Sequence, residues 1–343
     1  MIRSLLFRSF RGFTDLKISS LKRVNLIAGA NNTGKTGLLE GLYLLFGDAS
    51  QIPFLPSVFR TNVSGYPNQP TSDDFYTFWE SLFHDKDTDV TPMILAELRQ
   101  GDQNSCELQK PHGASDILIR YGCHELAVSS SSTDKRPGFR VAPHGTPEGS
   151  GKNPFNRKLI VLSTRLEHPT RDADLFNQVS LLEGGEERLV LLLREIDVRL
   201  QKLRYLKAPG THQALVYAHF GLKNAISMTQ TGQGFSKLFS LFCQMLISKA
   251  EFLFIDEIEN GLYYESLPTI WKGISALAKS ENIQVFATTH SRECIVAAHE
   301  TFSAMPDYDF ALHRLQTVQG KVEVVTHDRQ MLDVAIKSGL EVR

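Results

Sequence analysis

The octet Gly29 to Thr36, GANNTGKT, stands between the apolar run RVNLIAG and a second run, GLLEGLYLLFG, in which Leu38, Leu39, Leu42, Leu45 and Phe46 share one helical face. It satisfies G-x-x-x-x-G-K-[ST], a pattern that works only as a loop joining a buried strand to a helix N-terminus. There the backbone around Gly29, Ala30, Asn31, Asn32, Thr33, Gly34 and Gly37 can ring a polyphosphate. Lys35 adds a point charge at its β and γ oxygens, and the Thr36 hydroxyl helps to hold Mg²⁺. The octet predicts a nucleotide-binding α/β chain of P-loop NTPase type. A glycine turn without a ligand is the alternative.

Three further stretches have the chemistry such a loop needs. FLFIDE, Phe252 to Glu257, is an apolar strand ending in two carboxylates. A buried strand carries a carboxylate cheaply only at its mouth, so Asp256 is expected at the metal and Glu257 at the attacking water. VFATTHS ends another buried strand at His290, which could donate a hydrogen bond to a γ-phosphate; a satisfied core or surface histidine is the alternative. TQTGQGFSKLFSLF, Thr229 to Phe242, sets Gly232 and Gly234 before an amphipathic helix expected to begin close to Ser236. It reads as an ordinary turn or as an anion site at a helix N-terminus.

The 343 residues suit about two domains. Lys plus Arg, 37, nearly cancels Asp plus Glu, 38, so there is no general attraction to nucleic acid. Cys106, Cys123, Cys243 and Cys294 form no C-x-x-C pair, which argues against a zinc site or a disulfide framework and for a cytoplasmic setting. No apolar run approaches the ~18 to 20 residues that span a bilayer, so no membrane partner is expected. Residues 1–128 read as an N-terminal lobe with the phosphate loop and antiparallel strands, and 129–154, rich in Pro, Gly and Ser, as a low-complexity loop. Residues 155–343 complete the core, with a helical subdomain over about 174–226 and a largely helical reading of 174–206. Alternating strands and helices then predict a mostly parallel sheet covered on both faces. A hairpin turns at Gln319 and Gly320, and a last helix leads to Gly339.

These features, in this order, resemble the ATP-binding-cassette (ABC) type of ATPase. LLFRSFRGFTDLKISSLKRVNLIAGANNTGKTGLLEGLYLL, IDEIENGLYY and FATTHSRECI narrow the resemblance to the RecF, SMC and OLD branch, most like its small stand-alone bacterial AAA-type ATP-binding proteins. The resemblance spans residues 1–48 and about 155–343. It implies ATP and Mg²⁺ as cofactors and a homodimer closed head to tail around two nucleotides. Thr231, Gly232, Gln233, Gly234 and Ser236 of each copy would face the ATP held by the other, and Glu259, Asn260 and Gly261 would join the two sites. The relatives' metal-coupling glutamine has no clear counterpart; Gln178 and the region of Ser163 to Arg165 are candidates. Arg11 either reaches the nucleotide or is a surface arginine.

Residues 51–250 lack the heptads of an SMC arm, and 53 residues after His290 are too few for the acidic metal domain of OLD nucleases. Asp307 to Asp309, DYD, reads as a turn. The expected function is an ATP-driven dimerisation switch for a separate effector protein, or for a DNA or RNA transaction, in bacterial anti-phage defence or DNA repair. The alternatives are the nucleotide-binding subunit of a membrane transporter and an ATP-binding scaffold without turnover.

Overall fold

A computed structural model describes residues 1–59, 77–112, 116–123, 137–141, 147–148, 152–162, 169–207 and 214–343. The strands are β1 (Ile2–Phe10), β2 (Phe13–Ile18), β3 (Val24–Gly29), β4 (Met93–Leu98), β5 (Gln103–Gln109), β6 (Ile117–Cys123), β7 (Gly138–Val141), β8 (Pro147–Glu148) and β9 (Leu159–Leu162). They continue with β10 (Lys202–Lys207), β11 (Ala214–His219), β12 (Ile226–Ser227), β13 (Phe252–Ile255), β14 (Gln284–Thr289), β15 (Phe310–Val318) and β16 (Lys321–His327).

The central sheet runs β16-β15-β3-β14-β13-β9. All its pairs are parallel except β15 with β16, which meet through a turn at Gln319 and Gly320, both with positive φ. The parallel strands read as unbroken apolar runs because both faces are covered. Within them the residues still alternate. Leu26, Ala28, Leu253, Ile255, Val285 and Ala287 point into a core shared with the helices Gln233–Ile247, Leu267–Ser280 and Arg292–Ser303. Ile27, Phe252, Phe254 and Phe286 point the other way, against the Lys35–Phe46 helix and a seven-stranded antiparallel sheet ordered β2-β1-β4-β5-β6-β7-β8. Tyr121 Oη donates to the carbonyl of Leu44 at 3.0 Å, and Asn153 Nδ2 to those of Leu45 and Gly47 at 3.0 and 2.8 Å. Tyr121 of β6 and Asn153, ahead of β9, thereby satisfy carbonyls at and just past the end of the phosphate-loop helix.

Three sequence expectations change. Residues 138–141 of the expected low-complexity loop form β7, because Phe139 and Val141 alternate inward and are buried while Arg140 stays out. Residues 202–207, read as helix, form β10: Leu203 is their one buried residue, and the strand is made by antiparallel pairing with β11 along its whole length. Among the described residues, the lobe over 174–226 is thus helical only in Pro169–Ser180 and Gly185–Arg194, followed by a three-stranded sheet β10-β11-β12. The glycine-rich helix starts at Gln233, three residues before Ser236, so Gly234 lies inside its first turn. The candidates Ser163 to Arg165 lie outside the described residues.

Candidate functional site

Because β3, β14 and β13 are parallel neighbours in register, Gly29, Thr289 and Ile255 all end at one edge of the sheet, and the motifs that follow them converge there. Ligands of open α/β sheets bind at this carboxyl edge. The loop after β3 leads into Lys35–Phe46 through Gly34, whose φ of 92° suits glycine. A Cβ at Gly34 would also lie 2.7 Å from the Phe13 ring. Ala30, Asn31 and Asn32 are exposed and Thr33 is buried, its Oγ1 donating to the Ala30 carbonyl at 2.9 Å. The Lys35 ammonium donates to the carbonyls of Gly29 and Ala30 at 2.8 and 2.9 Å. Burial pulls its pKa down, and Glu257, Asp256 and Glu259 oppose that.

Thr36 Oγ1 lies 3.2 and 3.1 Å from the two carboxylate oxygens of buried Asp256. Thr288 Oγ1, from β14, donates to the same carboxylate at 2.6 Å. Desolvation raises the Asp256 pKa, against the pull of both hydroxyls. A hydroxyl and a carboxylate facing each other are hard oxygen donors of the kind Mg²⁺ takes, together with phosphate oxygens and water. No group of three or more His, Cys, Asp or Glu side chains among the described residues could hold a metal by itself. The donor set therefore fits a cation that arrives with a nucleotide.

Glu257 has a φ of 50°, a left-handed conformation that costs a non-glycine residue about 1–3 kcal/mol unless the surroundings hold it. Its N–H donates to Thr288 Oγ1 at 2.8 Å. His290 is exposed on the neighbouring strand's exit, and its N–H and Nδ1 both meet Glu259 Oε1, at 2.8 and 3.1 Å. Lys35, Thr36, Asp256, Glu257 and His290 are thus brought to one strand edge.

The glycine-rich helix meets this edge from behind. Gly232 precedes it with no side-chain cap, and Gly232 and Gln233 are exposed. Thr231 Oγ1 is given to the Met228 carbonyl at 2.7 Å, and Ser236 Oγ to Asp172 Oδ2 at 3.4 Å. A Cβ at Gly234 would sit 2.5 Å from the Gly261 carbonyl, so that glycine is required within the chain; one at Gly232 meets nothing within 4 Å. Lys237, which the sequence did not single out, donates to the carbonyls of Glu257, Ile258 and Asn260 at 3.3, 3.4 and 3.1 Å. Thr288 was also missed; its signal was a hydroxyl two residues before His290 at the end of an apolar strand.

Arg11 is not a stray surface arginine: its guanidinium pairs with Glu40 at 2.6 Å and stacks 4.9 Å from the Phe78 ring centroid, and its stem lies beside Gly37. Gln178 lies exposed on the Pro169–Ser180 helix. Asp307 and Asp309 pair with Lys279 and Arg23, as suits surface turn residues. No helix among the described residues is long and apolar enough to cross a membrane.

Residues 138–295 match the family described as "AAA domain, putative AbiEii toxin, Type IV TA system". Over 324 residues, 86% of this chain and 86% of the relative, the sequence is 24% identical to the ATP/GTP phosphatase of Helicobacter pylori. A 60-residue stretch, 17% of this chain and 16% of the relative, is 42% identical to the DNA replication and repair protein RecF of Idiomarina loihiensis. The SMC head domain from Thermotoga maritima superposes with a TM-score of 0.51 at 14% identity, covering 95% of this chain and 99% of that one, which shows the shared fold. Fold, motif order and relatives together support an ABC-type ATPase of the RecF, SMC and OLD branch, and the fold is that of its SMC heads.

Proposed function

We propose that the chain binds Mg²⁺ and ATP at the β3 loop and hydrolyses the nucleotide when two copies close head to tail. The observation that carries this is the meeting of Thr36 with Asp256 beside Lys35 at the end of β13, with Glu257 next in sequence. Gly29 to Gly37 wrap the phosphates, and Lys35 leaves its carbonyl partners for the β and γ oxygens. Thr36 and Asp256 would hold Mg²⁺, which supplies charge neutralisation at the phosphates. Glu257 orients or deprotonates the attacking water, and His290, steadied by Glu259, donates to the γ-phosphate.

The second copy completes the site with Thr231 to Ser236. Open space at Gly232 and the uncapped start of the helix support an approach by the partner's triphosphate. The switch acts on a separate effector or on nucleic acid, in anti-phage defence or DNA repair; the RecF relative supports a nucleic-acid transaction. Calorimetry and sedimentation test the reading. Lys35→Ala is expected to lose ATP binding, while Glu257→Gln binds, loses about 10²–10⁴-fold in kcat, and accumulates as an ATP-bound dimer. Wild-type turnover in Glu257→Gln, or unchanged ATP affinity in Lys35→Ala, would overturn it.

A further inference from the structure

The backbone of Glu257 is held at both of its polar groups. Its N–H goes to Thr288 Oγ1 at 2.8 Å, and its carbonyl accepts from the Asn260 N–H at 3.0 Å within the turn and from Lys237 Nζ at 3.3 Å across it. A residue in the left-handed region keeps that conformation only when its neighbours over-determine it, and Lys237 belongs to a different element from the strand that carries Glu257. The ammonium also takes the carbonyls of Ile258 and Asn260, so one cation gathers three acceptors of the turn that follows β13. Burial lowers the Lys237 pKa, and the nearby carboxylates of Glu259, Glu257 and Asp256 oppose that. The close approach of Gly234 to the Gly261 carbonyl, one helical turn earlier on the same face, seats the helix against the turn that Lys237 binds.

We propose that Lys237 is a positioning residue for Glu257: acting from the glycine-rich helix, it fixes the left-handed peptide that aims the Glu257 carboxylate. The proposal rests on the reading of Glu257 as the residue that orients the water. Lys237 touches neither nucleotide nor water; it acts through the Glu257 carbonyl. Because the same helix begins at Gln233, its seating also links the helix tip to the aim of Glu257 within one chain.

The test compares wild type, Lys237→Arg and Lys237→Met in steady-state ATP hydrolysis and in crystal structures. Lys237→Met is expected to lose about 10²-fold in kcat, as a slightly misplaced catalytic group does. KM for ATP should change little, since the phosphate loop is untouched, and Lys237→Arg should recover most of the rate. In the Lys237→Met crystal the Glu257 peptide should relax to negative φ. Should Lys237→Met not fold, Lys237→Leu, which likewise has no donor, takes its place with the same expectations. Wild-type kcat in the folded variant, or Glu257 still at positive φ, overturns the proposal. Absence of turnover in wild-type protein would fell the hydrolase reading alone, and the Glu257 peptide in the variant crystal would then decide the clamp by itself.

Discussion

A methyl group at Gly234 would press on the Gly261 carbonyl, whereas the space beyond Gly232 is open. The two glycines should therefore respond in opposite ways. Gly234→Ala is expected to destabilise the monomer by about 1–3 kcal/mol through overpacking, read by denaturant unfolding. Gly232→Asp should leave stability within about 0.5 kcal/mol of wild type and yet prevent ATP-dependent dimers in sedimentation. Normal dimers from folded Gly232→Asp would remove that position from the interface. The sequence marked both glycines but could not separate them, because the clash at Gly234 is with a loop 27 residues away in the chain. Lys237 was illegible for a related reason: one lysine on a polar helix face looks solvated until the facing carbonyls are known. Its spacing of three from Gly234 was the available clue.

The hairpin of β1 and β2 turns at Arg11, whose φ is 54°, and lays the guanidinium against the phosphate-loop helix. Its partner Glu40 is fully buried in that helix, and Ser81 Oγ accepts from Nη1 at 2.5 Å. Removing one member of a buried pair strands the other, so Arg11→Ala should cost about 3–5 kcal/mol in chemical denaturation. Full stability with lost ATP binding would instead assign Arg11 to the ligand. Elements whose period matched their surroundings were readable in advance. β3, β13 and β14 showed as apolar runs, and the octet fixed the helix after β3. β10 was not, since its six residues have three exposed charges and one buried side chain, and its strand form comes from pairing with β11 rather than from a pattern of its own. β7 was hidden by its Pro- and Gly-rich flanks.

Two cores lie back to back across the central sheet, and the residues proposed to bind nucleotide line the edge where both reach solvent. That edge was legible because three strand-ending motifs in a parallel sheet must emerge on one side. The seven-stranded layer was legible only in part, since pairing order depends on contacts far apart in sequence. Three buried thiols sample these layers: Cys106 in the antiparallel sheet, Cys243 in the Gln233–Ile247 helix and Cys294 in the Arg292–Ser303 helix. Burial pushes the Cys294 thiol up to about 12, so it reacts only when its surroundings part. With Cys123 changed to serine, alkylation followed by mass spectrometry should label Cys243 and Cys294 more slowly when ATP is present, and Cys106 at an unchanged rate. Equal slowing at all three would mean the layers breathe as a single unit. The hidden sulfurs thus make the native molecule its own stopwatch, recording which part of it gives way first.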